Sequence, residues 1–257
     1  MPRITESRTH YTSPCGAEPP LLVWEPPDGS PTALVLFFHG GGWRSGAPEQ
    51  FAPQARLLAA DGVLATSAGY RLIGRDARTL ADCLADARAA VEHVRRLAPD
   101  LPLFLAGGSA GGQLALTTAL TAPAGHPPLA GVVLFNPVVD LCGTSDLDDA
   151  LRELLGLSGP VAAEVSPMRL VGPGAPPALV LHGTADELVP IADARRFRDA
   201  MAAAGHVCRL VEYEGAPHGF FNPEAGAARW FEEPMAETVA FVRSHSPSRT
   251  RKDTEES

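Results

Sequence analysis

Residues Gly107–Gly112, G-G-S-A-G-G, join the apolar run Leu103–Ala106 to an apolar helical pattern that opens Gln113-Leu114-Ala115-Leu116. Few local patterns restrict a backbone more. Glycines two residues before and two after a serine fit a strand-to-helix turn too tight for larger side chains, one that holds the hydroxyl out on a strained corner. Alone, the segment also suits a phosphate-binding loop or a plain turn, because a helix N-terminus attracts anions by itself. What surrounds it decides between these.

Around this turn, short apolar runs alternate with longer amphipathic stretches, the pattern of a parallel sheet covered by helices. Strands are expected at Leu21–Glu25, Ala33–Phe38, Val63–Ala68, Leu103–Ala106, Val132–Phe135, Leu179–His182 and Arg209–Tyr213. Helices are expected at Glu49–Ala60, Thr79–Leu97, Ala110–Thr121, Ile191–Ala204 and Arg229–Ser244. The second of these is the clearest, with Leu80, Leu84, Ala87, Val91 and Val94 on one face. The prediction is an α/β fold with a mostly parallel central sheet and helices on both faces. A chain of 257 residues fits one such domain, placed at 21–244, after an amino-terminal extension at 1–20 and before a polar tail at 245–257 expected to be disordered.

A net charge of −9, with Lys252 the sole lysine, argues against nucleic-acid binding. Cys15, Cys83, Cys142 and Cys208 lack metal-type spacing, so buried thiols are expected, with no metal and no cofactor. No apolar run approaches membrane-spanning length and Met1–His10 is polar, which gives a cytoplasmic expectation. Oligomeric state leaves no mark in the sequence.

Three further motifs each follow an expected strand. His39-Gly40-Gly41-Gly42-Trp43 offers unobstructed backbone N–H groups; those of Gly41 and Gly42, with that of Ala110 beside Ser109, suit a developing oxyanion. In His182-Gly183-Thr184-Ala185-Asp186, Asp186 is the candidate to orient a histidine, although a loop aspartate also serves as a turn or helix cap, and Glu187 and Asp193 are neighbours. In Gly215-Ala216-Pro217-His218-Gly219-Phe220, His218 is presented between proline and glycine, where an imidazole can shuttle a proton to and from Ser109. His39 is expected to brace the glycine loop and His182 to end its strand. Trp43, Phe220 and Phe221 are candidates to line a substrate pocket, with core packing as the alternative. Arg71 and Arg75 are candidates to meet an anionic substrate, against plain solvated charge.

The order oxyanion loop, Ser109, Asp186, His218 resembles the α/β-hydrolase superfamily, and more narrowly the bacterial esterase/lipase group that shares H-G-G-G with hormone-sensitive lipase and with acetyl-xylan and feruloyl esterase-like proteins. The resemblance rests on His39–Trp43, Tyr70-Arg71-Leu72, Gly107–Gly112, Asn136-Pro137, His182–Asp186 and His218-Gly219-Phe220, and spans about 21–244. It implies an α/β-hydrolase fold, Ser109 as nucleophile, Asp186 as acid, His218 as base, and hydrolysis of small, short-acyl carboxylic esters through an acyl-enzyme. Small-amide hydrolysis (arylformamidase or peptidase-like), acyl transfer, and non-catalytic ligand binding on the same fold are the rival readings. Two departures stand out. Gly108 occupies the position where hormone-sensitive lipase relatives usually carry aspartate, and so little chain precedes H-G-G-G that only a minimal cap is expected. A short lid is assigned to 141–174, containing a helix at Leu147–Leu157 with Leu147, Leu151, Leu154 and Leu155 on its apolar face; ordinary packing on the core is the alternative.

Overall fold

The computed structural model describes residues 3–142, 149–157, 160–223 and 228–247. Its strands are β1 (Thr5–His10), β2 (Pro20–Glu25), β3 (Leu34–Phe38), β4 (Leu64–Ala68), β5 (Leu103–Gly108), β6 (Gly131–Phe135), β7 (Ala178–Gly183) and β8 (Cys208–Tyr213). Its α-helices are α1 (Ala52–Ala60), α2 (Leu80–Leu97), α3 (Ala110–Leu120), α4 (Asp149–Leu154), α5 (Val161–Val165), α6 (Pro167–Leu170), α7 (Ile191–Ala203) and α8 (Arg229–Ser244). The eight strands form one sheet in the order β1-β2-β4-β3-β5-β6-β7-β8. β1 and β2 run antiparallel at one edge and the other six are parallel. The fold class is the expected one.

Alternation along the central strands explains why both faces are covered. Leu34, Leu36 and Phe38 of β3 face a layer that holds Leu84, Ala87 and Val91 of α2, Leu114 and Ala115 of α3, and Phe197 of α7. Val35 and Phe37 face the opposite layer, with Ala55 and Leu58 of α1 and Met235 and Val242 of α8. Every residue of β3 is buried, as a strand between two helical layers requires.

β1 is the strand that the apolar pattern misses. Its sequence, TESRTH, is polar and every residue is exposed, so no hydrophobic run marks it. It is held by register with β2, Thr5 opposite Glu25 through His10 opposite Pro20, and by the exposed ion pairs Arg56–Glu6 and Arg8–Glu49. Behind it, Arg71 is not available to a substrate. Its Nε donates to Asp86 Oδ2 at 2.9 Å, and Asp86, fully buried, also accepts the Arg71 N–H and the Ser13 hydroxyl. Arg75 is exposed and pairs with Asp76. Of the four thiols, all free, Cys83 is buried, whereas Cys15 is exposed against expectation.

Between β6 and β7 lie three short helices where the lid was assigned. Leu155 and Leu157 are buried in the α2/α3 layer and Leu154 packs against it; Leu147 lies outside the described residues. The Leu80 N–H donates to the Leu155 carbonyl, which ties this segment to the start of α2.

The chain passes from β3 to β4 on one side, then returns to place β5 on the other side of β3. A crevice opens at such a switch, outside the carboxyl ends of the strands. His39–Trp43 leave β3 and Ser109 leaves β5 at that point.

Candidate active site

Ser109 sits between β5 and α3 with φ 52° and ψ −117°, left-handed backbone that a side chain rarely adopts. Glycine neighbours make the turn possible. A Cβ on Gly107 would lie 2.4 Å from the Gly111 carbonyl oxygen, and one on Gly111 would lie 2.1 Å from that of Phe38. The turn is pinned by the Ser109 N–H donating to the Phe135 carbonyl at 2.9 Å and by the Ser109 carbonyl accepting from Gln113 and Val138. Gly108 has its own reason to lack a side chain: a Cβ there would lie 2.5 Å from Cζ of Phe221.

From three separate loops the sheet brings together the residues singled out by sequence. Ser109 Oγ is 3.0 Å from His218 Nε2, and His218 Nδ1 is 2.8 Å from Asp186 Oδ2. A proton path therefore runs from hydroxyl to imidazole, with a carboxylate fixing the tautomer behind it. Asp186 also fills the turn-capping role that was its alternative reading: its Oδ1 accepts the N–H groups of Leu188 at 2.9 Å and Val189 at 2.8 Å. One oxygen holds the loop while the other meets the histidine. Burial opposes the Asp186 charge, but hydrogen bonds from His182, His218 and Val189 outweigh it and hold the carboxyl well below the usual range. His182, fully buried, places Nε2 2.8 Å from the Val189 carbonyl and 3.4 Å from Asp186 Oδ2, a second support that its position at a strand end did not reveal.

Gly41 and Gly42 line the cleft with Ala110. Their φ values are 106° and 59°, and a Cβ on Gly41 would lie 2.3 Å from the Ser45 carbonyl oxygen. Ala110 opens α3, so its N–H has no acceptor within the helix. His39 braces the loop from beneath: Nδ1 donates to the Gly40 carbonyl at 2.8 Å, Tyr70 stacks on the ring, and the Tyr70 hydroxyl donates to the His39 carbonyl. Burial pushes the His39 imidazole down to about 4.

The three aromatic candidates separate. Trp43 and Phe221 line the cleft, whereas Phe220 is buried against Tyr213 in the opposite layer and is no part of the lining. Trp43 is held by its indole N–H, which donates to Gln113 Oε1 at 3.0 Å; Gln113 Nε2 in turn donates to Thr117 and to the Val165 carbonyl. Gln50, Asn136, Val138, Leu188, Val189, Asp193 and Asn222 complete a cleft of about 520 Å³, within the range of small-molecule sites. None of the described residues of 141–174 lines it. Among the described residues, the three non-glycine residues at positive φ are Trp43, Ser109 and Asn136, and all three line this cleft. Backbone strain is thus concentrated where the chemistry would occur. Among the described residues no group of three or more His, Cys, Asp or Glu is placed to hold a metal ion, and no helix is long and apolar enough to cross a membrane.

A serine at a strand-to-helix corner, joined in series to histidine and aspartate at the carboxyl edge of a mostly parallel sheet, defines a serine hydrolase of α/β architecture. Comparison narrows this. Residues 35–222 match the model of an alpha/beta hydrolase fold family, Abhydrolase_3, and the chain belongs to that family. Among solved structures it is similar to Thermogutta terrifontis esterase 2 phosphoramylated by tabun, at 34% identity and TM-score 0.82 over 93% of this chain and 94% of that one. The propionate-bound form of the same esterase matches at 33% identity and TM-score 0.83 over 95% and 96% of the two chains. The esterase LipC of Mycobacterium tuberculosis is 28% identical over 78% of this chain, which spans only 56% of LipC.

Proposed function

We propose that the protein is a carboxylic ester hydrolase that works through an acyl-enzyme on Ser109. The observation that carries this reading is the hydrogen-bonded series from Ser109 Oγ through His218 to Asp186, open to a cleft. His218 Nε2 takes the Ser109 proton as Oγ bonds to the acyl carbon. The carbonyl oxygen, now an oxyanion, is met by the N–H groups of Gly41, Gly42 and Ala110. Collapse breaks the bond to the alcohol oxygen, which leaves with the proton held on His218. Water then gives its proton to His218, attacks the acyl carbon, and frees the acid as the proton returns to Ser109 Oγ. Asp186, kept ionised by its hydrogen bonds, stabilises the imidazolium formed twice in each cycle. Short acyl groups are the expected substrates; the related esterase binds propionate in one structure and butyrate in another.

The test is hydrolysis of p-nitrophenyl butyrate together with labelling by a fluorophosphonate. Ser109→Ala is expected to lower kcat by at least about 10⁴-fold, to abolish labelling, and to leave the unfolding midpoint unchanged. Turnover or labelling that survives the substitution would overturn the assignment.

A further inference from the structure

Asp193 has no part in the steps above, yet its carboxylate stands in the wall of the cleft. It belongs to the first turn of α7 and is 3% exposed. Arg196 Nη2 approaches Asp193 Oδ1 to 2.7 Å and lies 3.8 Å from Oδ2 of Asp140, which is also buried. One guanidinium between two buried carboxylates leaves the cluster net acidic when both are ionised. Burial raises the Asp193 carboxyl, with Arg196 opposing. A desolvated carboxylate offers hydrogen-bond acceptors and no donor, so it rewards a hydroxyl placed against it and penalises an anion.

Which half of an ester meets this wall follows from the chain. Asp193 follows Leu188 and Val189, whose N–H groups hold Asp186, and Asp186 in turn holds His218. The leaving oxygen must turn toward His218 Nε2 to receive its proton, whereas the carbonyl oxygen turns toward the glycine loop after β3. The alcohol portion therefore extends along the Leu188–Asp193 wall. We infer that Asp193 is a specificity-determining residue that selects esters whose alcohol portion carries a free hydroxyl, such as partly acylated diols and polyols, over alkyl and anionic esters. The inference rests on the ester-hydrolase reading and adds the substrate class.

Three butyrates that differ at one group test it: 2-hydroxyethyl butyrate, n-propyl butyrate with methyl in place of hydroxyl, and butyryloxyacetate with a carboxylate. kcat/KM for each is measured with the wild type, Asp193→Ala and Asp193→Asn. In Asp193→Ala the hydroxyethyl-to-propyl ratio is expected to fall about tenfold, the worth of one hydrogen bond to a charged group. In Asp193→Asn, where an amide oxygen still accepts, that ratio is largely kept while butyryloxyacetate gains about tenfold over propyl butyrate. Ratios within one variant do not depend on how much of it is folded. Ratios unchanged in both variants, or a common loss on all three esters, would overturn the inference and leave Asp193 a structural residue. A wild type that hydrolyses none of the three would overturn the ester reading itself, and the inference with it.

Discussion

Placing a methyl group on Gly108 tests how the turn at Ser109 is packed. The Cβ of Gly108→Ala would lie 2.5 Å from Cζ of Phe221 and 3.2 and 3.3 Å from the two adjacent ring carbons. Carbon atoms in van der Waals contact sit about 3.5–4.0 Å apart, so the ring must move by roughly an ångström. It has little room. Phe221 stacks on Phe51 with centroids 5.5 Å apart, meets Phe135 at 4.9 Å, and accepts a hydrogen bond from Gln54 on its carbonyl. Overpacking of this kind costs about 1–3 kcal/mol, and with the ring held on several sides about 2 kcal/mol is expected. For a domain of this size that is a fall of about 4–8 °C in Tm by calorimetry. Because Gly108 adjoins Ser109, kcat toward p-nitrophenyl butyrate should fall about tenfold as well. Phe221→Ala alone should cost about 3–5 kcal/mol by leaving a cavity. In the double variant the added methyl meets that cavity, so the two losses should fall short of their sum by about 2 kcal/mol. Additive losses, or a Gly108→Ala protein as stable as the wild type, would refute the claim that Phe221 excludes a side chain there. The aspartate usual at this position in hormone-sensitive lipase relatives is excluded on the same ground.

His39 should give stability a pH slope. The folded imidazole takes its proton only near about 4, mainly because it is buried, whereas the unfolded one takes it near about 6.5. Between these values the unfolded chain binds the extra proton, so stability is full above about pH 6.5 and falls as pH drops toward 4, by about 3 kcal/mol. His39→Gln should lower stability at neutral pH yet flatten that slope; denaturant unfolding at pH 7 and pH 5 that gives the same slope for both proteins would refute it. Gln113→Ala should cost about 2–4 kcal/mol, since it strands the Trp43 indole N–H and the Val165 carbonyl. It should also raise KM by releasing Trp43; an unchanged Tm and KM would show that the Gln113 bridge holds nothing.

Much of this architecture is legible in the chain because some signals are forced by local sterics. Gly107 and Gly111 can only be glycine beside backbone carbonyls 2.1–2.4 Å from an added Cβ, so the G-x-S-x-G corner is written directly in composition. Central strands such as β3 and β6, buried on both faces, show as unbroken apolar runs. β1 does not, because an exposed edge strand needs no apolar residue and is specified by pairing with β2 alone. The cleft walls are also hidden. Phe220 and Phe221 are adjacent and chemically identical, yet one packs on Tyr213 and the other borders the cleft, a difference set by how the loop after His218 settles on the sheet. Asn136 and Asp193 reach the cleft from the ends of β6 and α7, and nothing near them in sequence says so. Arg71 reads as surface charge until Asp86 of α2 is seen beneath it.

The left-handed backbone at Trp43, Ser109 and Asn136 bears on how this protein can be improved. Each of these residues holds a conformation that glycine would adopt without strain, at a cost of about 1–3 kcal/mol per residue. A search for thermostability alone would favour glycine at all three, and each such gain would erase an indole, a nucleophile or an amide from the cleft. Heat tolerance and turnover thus compete at three positions. The α1/α8 layer, remote from these three turns, is where stabilising changes can accumulate without touching catalysis.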